Sequence, residues 1–552
     1  MKKILISLLL ALCFIIGNGQ VIKRNNNDSI LTHKVNRDKN GALLSWYKPE
    51  VAGAGYGQVM KLASEFMVNT CPKDEKTGLP FFLVTCCFNK PDLNGNKYVA
   101  EDWPHNPACV YAGSVQSLAI NYYQYTGDAQ YIEVVRGMLD HQLQYGTTPE
   151  GWIWEKVPYA SSDAFEKVYQ GGTRWESDGF RGDGLHGIEP DKIGELGYAY
   201  IRFYEITGDK KYLEAGINCA NALAKHVRNE LPSQSNFAIT TTIKSPWPFR
   251  LNARTGQIHS EYCSNVLEPY KLFNELLRIK NTIGLDTAAQ RKYTYAKDLA
   301  WEWLYSKSGP MKTYIWNGYF EDIPNDNLTL NRVHITPVEL GKYLIENQPA
   351  DVNLAIDIPS IIFWIESVFR DKDFDAIKEQ TWCFEPMGSH SARFGSLCAL
   401  WYEKTGDVAY KDKAFRYLNY ASYMCLPDGF VSVGHTWPGS WFSDGYSDYI
   451  RHFSDALACV PEWAPEGENH LLKCSSVVKN ISYSAAKIEF TTFDNASQSV
   501  FRLAFKPKSI IANNKLLSES KITGSDGWTW QKLANGGILK ISVKDGNSIV
   551  IK

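Results

Sequence analysis

The feature that most constrains the fold is a short turn that occurs three times between helical segments. The three copies are Thr126-Gly127-Asp128, Thr207-Gly208-Asp209 and Thr405-Gly406-Asp407. Glycine tolerates the left-handed backbone that ends many helices, and aspartate caps the helix that follows. Each turn therefore predicts a helical hairpin, and a looser version at 283–286 predicts a fourth.

Long segments rich in polar and aromatic residues separate the predicted hairpins. They cover residues 146–189, 231–261, 307–335, 379–393 and 427–444. Short turns at one end and long loops at the other predict a bundle whose loop end is built up for function. Further helical patterns bring the total to about twelve helices, which predicts six hairpins in a ring.

Repeated hairpins with Thr-Gly-Asp turns and Trp-, Asp- and Gly-rich loops resemble the (α/α)6 barrel of carbohydrate-active enzymes, over roughly residues 46–465. Similar members include unsaturated glucuronyl hydrolases, secreted bacterial glucuronidases and lyases that cut uronate-containing polymers such as ulvan. The resemblance implies a mainly α fold and an enzyme that acts on a glycan. The alternative is a helical repeat array that only binds partners, but such arrays keep a constant repeat length and lack these large loops.

The two ends of the chain differ from the helical region. Residues 1–19 combine a positive start with an apolar run and small residues before Gln20, which is typical of a secretory signal. Residues 20–45 are polar and predict a loosely held lead-in. Residues 470–552 alternate or run apolar over strand lengths and predict a small antiparallel β-sandwich. We therefore expect an exported protein, periplasmic or secreted, with a barrel at 46–465 and this sandwich after it.

The composition limits the kinds of partner and cofactor that we expect for this protein. A formal net charge of −2 gives no support for a nucleic-acid partner, and no segment after the signal is apolar enough to span a membrane. Of twelve cysteines, Cys13 leaves with the signal, and the rest predict mostly buried thiols with one or two disulfides. Loops around Asp92, Asp178 and Asp183 offer oxygen ligands for a structural calcium, but the calcium-loop pattern is incomplete. We therefore predict no metal and no organic cofactor.

The stretch 175–192 carries the densest set of chemically active side chains. It places aromatic, acidic, basic and imidazole groups among four glycines, directly before a predicted helix. A surface turn needs no such mixture, whereas a sugar pocket needs an aromatic platform, an anion clamp and acid–base groups together. Three more clusters, at 259–262, 385–393 and 434–444, also precede predicted helices. Because helix amino termini attract anions, these clusters predict a rim that favours an acidic poly- or oligosaccharide.

Two reactions suit these clusters. A hydrolase needs two carboxylates that flank the glycosidic bond, and Asp183 and Glu261 are the predicted pair. A lyase needs a base for the C5 proton of a uronate, an acid for the leaving oxygen and a cation beside the carboxylate. For the lyase, the predicted acid–base residues are His186, His259 and Tyr262. The predicted substrate contacts are Trp175, Asp178, Arg181, Glu189, His390, Arg393, His435 and Trp437.

The many histidines and arginines favour an acidic glycan, and within that class they favour elimination, by a lyase or a related dehydratase. Hydrolytic removal of a glucuronyl group is the alternative reaction, and a non-enzymatic glycan-binding protein is the competing class. Each side chain also has a structural interpretation. A single histidine is commonly a core residue, Arg393 could pair with a carboxylate, and Glu189 could merely start its helix.

Overall fold

The computed structural model describes residues 29–172, 183–229, 244–316, 331–381, 385–520 and 526–552, with backbone only at 442–445. Twelve helices in these ranges form the barrel. They are α1 (Ala54–Glu65), α2 (Pro107–Ser114), α3 (Gln130–Tyr145), α4 (Pro190–Thr207), α5 (Lys210–His226), α6 (Leu267–Arg278), α7 (Thr287–Tyr305), α8 (Ile335–Asn347), α9 (Leu354–Phe369), α10 (Gly388–Thr405), α11 (Val408–Ser422) and α12 (Ser443–Cys459). α1 continues as a π-helix at Phe66–Thr70, and α2 continues through Val115–Tyr122 and Tyr123–Thr126.

The helices pack as six pairs in two concentric layers. Each even-numbered helix from α2 to α10 packs on the odd-numbered helix that follows it, and α12 packs on α1, which closes the ring. The even-numbered helices also contact their even-numbered neighbours and form the inner layer. Between α6 and α8 the contact includes Tyr270 and Tyr343, whose ring centroids lie 5.5 Å apart. The predicted mainly α fold with six hairpins in a ring is confirmed.

The repeated turn adopts the predicted geometry. Gly127, Gly208 and Gly406 have φ angles of 75°, 73° and 74°, in the left-handed region. The aspartate that follows each glycine accepts a hydrogen bond from the backbone N–H two residues further on. Glycine thus ends the inner helix and aspartate starts the outer one, so the chain reverses direction in a few residues.

Every inner helix begins at the long-loop end of the barrel, where small sheets brace the loops. One antiparallel sheet joins Gly187–Ile188, Arg250–Asn252 and Ile258–Ser260. A second joins Cys87–Asn89 with Val99–Ala100 and Ser440–Phe442, and a third pairs Ile377–Lys378 with Pro386–Met387. The first sheet brings Arg250 beside the start of α4.

The C-terminal region is an antiparallel β-sandwich, as predicted. One sheet has the strand order His470–Cys474, Ser497–Leu503, Gly537–Val543 and Gly527–Lys532. The other has the order Val478–Tyr483, Ile488–Thr492, Ser548–Ile551, Ile510–Ala512 and Lys515–Leu517. The sandwich packs on the short-turn end of the barrel, where His470 stacks on Tyr125 at 3.6 Å and Asp494 pairs with Arg278 at 2.7 Å.

The lead-in is better packed than its composition predicts. Short strands pair Ser29–Ile30 with His33–Lys34, and Asn36–Arg37 with Leu43–Leu44. The ring of His33 stacks on Trp46 at 4.1 Å, and its Nε2 lies 2.8 Å from the carbonyl oxygen of Cys425. These contacts hold the segment against the loop after α11. The predicted signal, residues 1–19, lies outside the described residues, and among those described no helix has the length and apolarity to cross a membrane.

Candidate active site

The inner helices enclose a central cavity of about 760 Å³, which we call the lumen. At the loop end it is lined by Trp103, Phe249 and Trp437, and the Trp437 side chain is 44% exposed. At the opposite end it is lined by residues 472–475 and Gln498 of the sandwich. The lumen therefore runs the length of the barrel, with an aromatic rim and a floor made by the C-terminal domain.

One side of the lumen is rich in carboxyl groups. Four acids line it, and we call them the carboxyl wall. Glu189 directly precedes α4, Asp191 and Glu195 lie in the first two turns of α4, and Glu268 lies in the first turn of α6. Burial raises the pKa of Glu189 well above its usual range, and the neighbouring charge of Asp183 raises it further. Burial also raises the pKa of Asp191 and of Glu268. This wall can therefore hold protonated carboxyl groups near neutral pH.

The lysines beside the carboxyl wall are paired with carboxylates of the same wall. Lys192 Nζ lies 3.1 Å from Glu195, and Lys271 Nζ lies 2.9 Å from Glu268. The Asp191 carboxylate accepts a hydrogen bond from the Asn265 amide at 3.3 Å. Because the amide carries no charge, it orients the Asp191 carboxyl group without neutralising it.

The opposite side is rich in basic groups. Lys342, His390, Arg393 and Arg451, from α8, α10 and α12, line the lumen there, and we call them the basic wall. In the ring, α10 has α8 and α12 as neighbours, whereas α4 has α2 and α6. The basic wall therefore faces the carboxyl wall across the lumen.

His390 is the neutral member of the basic wall. It is buried, its Nδ1 has no hydrogen-bond partner among the described residues, and its ring packs edge-on against His334 at 4.8 Å. Burial, followed by the charges of His334 and Arg393, holds the pKa of His390 well below its usual range. The imidazole is therefore neutral at physiological pH, and one nitrogen of a neutral imidazole can accept a proton.

The arginines of this wall form an ion-pair network. Arg393 pairs with Asp448, and its Nη1 lies 3.8 Å from Glu339. Arg451 Nη2 lies 2.8 Å from the same Glu339. Although burial opposes ionisation, Arg451, Lys342 and Arg393 hold the pKa of Glu339 well below its usual range. Glu339 is thus a fixed anion among cations.

Four of the sequence-predicted site residues line the lumen, namely Glu189, His390, Arg393 and Trp437. A fifth, Asp183, is buried behind the carboxyl wall and reaches it through Arg250. Glu189 is the residue at the start of α4, but its side chain makes no capping hydrogen bond there. Arg393 does pair with carboxylates, as its structural interpretation expected. Trp175, Asp178 and Arg181 lie outside the described residues.

The other five predicted residues are not among the described side chains that line the lumen. His186 packs on Trp152 at 4.6 Å, and Glu261 pairs with Arg228 at 2.5 Å. Tyr262 is buried, and its hydroxyl donates to the carbonyl oxygen of Ile315 at 3.2 Å. His259 lies on the strand Ile258–Ser260, and His435 Nδ1 lies 2.8 Å from the Tyr420 hydroxyl. Their catalytic or binding roles remain predictions.

Several lumen residues were not among the predicted site residues, although Asp191 and Lys192 lie within the stretch 175–192. They are Asp191, Lys192, Glu195, Glu268, Lys271, Glu339, Lys342, Asp448, Arg451 and Asp455. The available signal was a stripe of charges of alternating sign at spacings of three and four, as in 268, 271, 275 and 278. Such a stripe usually marks a solvated helix face, whereas here it faces an enclosed lumen.

The cysteines carry no described cross-link. All ten cysteines in the described residues are free thiols, so the predicted one or two disulfides are wrong for this part of the chain. The described residues also contain no group of three or more His, Cys, Asp or Glu side chains placed to hold a metal ion.

Comparisons with known proteins extend the description of the fold. No family model matches the chain, and no curated protein matches it. Among solved structures, D-mannose isomerase matches with a TM-score of 0.50 at 12% identity, covering 73% of this chain and 97% of that one. An unsaturated glucuronyl hydrolase specific for heparin matches with a TM-score of 0.43 at 13% identity, covering 73% and 97%. A polysaccharide lyase matches with a TM-score of 0.41 at 10% identity, covering 74% and 98%.

At these identities the matches concern the fold alone. The match to D-mannose isomerase covers nearly all of that protein and about three quarters of this chain. Together with the six helix pairs, it shows that this chain has the (α/α)6-barrel fold found among carbohydrate-active enzymes.

Proposed function

We propose that the protein is a carbohydrate-active enzyme that cuts a uronic-acid-containing glycan in the lumen, by β-elimination at the uronate. The observation that carries this proposal is the arrangement of the two walls. His390, whose pKa burial lowers, faces a wall on which burial raises the pKa of Glu189. A proton acceptor and a proton donor on opposite sides of one cavity are what an elimination needs. The aromatic rim and the fold shared with a sugar isomerase support a glycan as the substrate.

The groups fit the steps of an elimination. His390 removes the C5 proton of the uronate, and the C–H electrons form the C4–C5 double bond. The bond between C4 and the glycosidic oxygen breaks, and a carboxyl group of the carboxyl wall protonates that oxygen as it leaves. The products are an unsaturated uronate and a new hydroxyl group, so no cofactor is consumed.

The basic wall suits an acidic sugar. A uronate carboxylate beside Arg393 would be stabilised by the guanidinium, which makes the C5 proton easier to remove. The same carboxylate near His390 would favour the imidazolium form and so raise the pKa of the base once substrate is bound. The amino termini of the inner helices add partial positive charge at this end of the lumen.

The buried positions of the proposed acid and base favour the end of a glycan chain as the substrate. Glu189 and His390 are only 1% and 5% exposed, and the sandwich lines the far end of the lumen. A glycan must therefore reach into the lumen to meet both groups. A chain end can do so without bending back on itself, whereas the interior of a polymer cannot.

Hydrolytic removal of a terminal glucuronyl group is the second candidate. It is favoured by one observation, the presence of carboxyl groups on both sides of the lumen, with Asp191 on one and Asp448 on the other. A buried acid with a raised pKa opposite a second carboxylate is the arrangement that glycosidases use.

One assay separates these reactions. Purified mature protein is incubated with a panel of uronate polysaccharides and their oligosaccharides, while ultraviolet absorbance and new reducing ends are followed together. Both signals rise if elimination occurs, with a single small product from the first time points if chain ends are attacked. Reducing ends without added absorbance indicate hydrolysis. Absorbance without reducing ends indicates a dehydratase, and no change in either signal contradicts the proposal.

A His390→Gln variant tests whether the protein is an enzyme or only a glycan-binding protein. An enzyme loses turnover while it keeps its affinity for the glycan, because the amide cannot accept the C5 proton. The matched control is Glu133→Gln on α3, which replaces an exposed carboxylate paired with Arg136 outside the lumen. Export is part of the same proposal, and amino-terminal sequencing of protein from the native host should begin at Gln20.

A further inference from the structure

Behind the carboxyl wall, two carboxyl groups share one arginine. Arg250 Nε lies 2.7 Å from Asp183 Oδ1 and 2.9 Å from Glu189 Oε1, and all three side chains are 1% exposed. Arg250 is held by the strand Arg250–Asn252, and Glu189 is the residue before α4. Of the two acids, only Glu189 lines the lumen.

Among the described residues, the charges around this pair do not balance if both acids are ionised. Two carboxylates would face one guanidinium, and Asp191 on α4 would add a third negative charge. Lys192 on the same helix is engaged with Glu195. From the segment before α6, the Cys263 thiol faces the same region, and burial keeps it neutral because its pKa is raised. An unbalanced buried charge is costly, and a protein in this situation usually keeps a proton instead.

Hydrogen bonding points the same way. Asp183 Oδ2 is buried and has no donor among the described residues. A proton on Glu189, placed between the two carboxyl groups, would satisfy that oxygen and remove the surplus charge together. Ser161 supplies the other contact nearby, because its hydroxyl oxygen accepts a hydrogen bond from the Asp183 backbone N–H at 3.3 Å. Arg250 Nε contacts Oδ1 of Asp183, so this hydrogen bond does not supply the donor that Oδ2 lacks.

We infer that Asp183 and Glu189 share one proton, and that Glu189 is the group that donates it to the leaving oxygen of the glycan. Asp183 is then a positioning residue, since it acts through Glu189 and does not line the lumen. After donation, Glu189 is an anion beside Asp183, and a proton from water restores the pair. The donor role rests on the proposed function, whereas the shared proton does not.

Infrared spectroscopy tests the shared proton without any substrate. At mildly alkaline pH, exposed carboxylates are ionised, so a carboxylic acid C=O band in the wild-type protein reports a buried protonated group. Burial also raises the pKa of Asp191 and of Glu268, so the band can contain more than one component. We expect Glu189→Gln to lose one component of the wild-type band. We expect Asp183→Asn to shift that component to lower pH, because the substitution removes the neighbouring negative charge. Glu195→Gln is the matched control for the band, because Glu195 is an ion-paired carboxylate of the same wall.

The outcomes separate the two claims. A wild-type protein with no carboxylic acid band at mildly alkaline pH, or a Glu189→Gln variant whose band equals that of the wild type, overturns the shared proton. An absent wild-type band overturns it even if the Glu189→Gln variant fails to fold, and Asp183→Asn tests the same component independently. The donor role predicts that the alkaline limb of kcat/KM moves to lower pH in Asp183→Asn, by about one pH unit. An unmoved limb overturns that role, and absence of activity on every glycan rejects the proposed function alone.

Discussion

The carboxyl wall and the basic wall face each other across one lumen, yet burial and local charge set their protonation in different ways. On the carboxyl wall, acids outnumber the cations beside them, so the pKa of Glu189 is raised, first by burial and then by Asp183. On the basic wall, three cations surround Glu339 and lower its pKa despite burial. The same burial keeps His390 neutral. Burial raises the pKa of both Glu189 and Glu339, so the opposite net shifts of these two acids follow from the charges beside them.

The largest expected effect comes from removing the neutral base His390. His390→Gln should lower kcat by about 10²- to 10⁴-fold, the range that general acid–base groups contribute. His186→Gln and His259→Gln should change kcat by less than about threefold, because neither side chain lines the lumen. Steady-state kinetics on the best glycan of the panel measure all three. If His186 or His259 proves essential while His390 is dispensable, the assignment of chemistry to the facing walls is wrong.

The second prediction concerns Arg250, the cation that two acids share behind the carboxyl wall. Arg250→Met leaves two buried carboxyl groups without their counter-charge, and breaking a buried pair in this way costs about 3–5 kcal/mol. Urea unfolding at neutral pH should therefore show a lower midpoint. Part of this loss should return at mildly acidic pH, where both acids are protonated. The control is Arg136→Met, which breaks an exposed pair on α3 and should cost less than about 1 kcal/mol.

The fold could be predicted from the sequence because its signals are local. The turns at Gly127, Gly208 and Gly406 each require a left-handed backbone and a following cap, and both requirements are visible in three residues. The clusters at 259–262 and 434–444 lead into α6 and α12 as predicted, whereas α10 begins at Gly388, inside the cluster at 385–393. What the sequence could not supply was which side of an amphipathic helix faces solvent. In a closed ring of helices, the charged side of α6, from Glu268 to Arg278, lines the lumen.

The candidate site was only partly predictable for the same reason. Loop residues such as His186 and Tyr262 attract attention because reactive side chains are dense around them, yet their rings pack against Trp152 and Trp303. His390 and Glu189 were named from the same density and do line the lumen. Nothing in a single sequence distinguishes these cases. The distinction depends on which turn of an inner helix each residue occupies and on the pairing of the sheet that holds Arg250.

The smallest expected effect is a change in how stability depends on pH. His334 is fully buried beside His390, and burial lowers its pKa to about 3. The unfolded chain has an ordinary histidine pKa near 6.5, so below about pH 6.5 only the unfolded state takes up the proton. The native state therefore loses stability as pH falls from that value toward the folded pKa. At about pH 5 the loss from this one group is about 2 kcal/mol.

His334→Gln should remove that part of the slope, because glutamine does not titrate. Urea unfolding at about pH 7.5 and pH 5 measures the slope in each protein, and any constant loss from the substitution cancels in the difference. His186→Gln, whose side chain is partly exposed, should change the slope less. The acids of the carboxyl wall whose pKa is raised change the stability in the opposite sense. They stabilise the folded chain at low pH, and this contribution is lost as the pH rises. A wild-type slope that His334→Gln leaves unchanged would mean that this histidine is not held neutral, and the account of the basic wall would have to be revised.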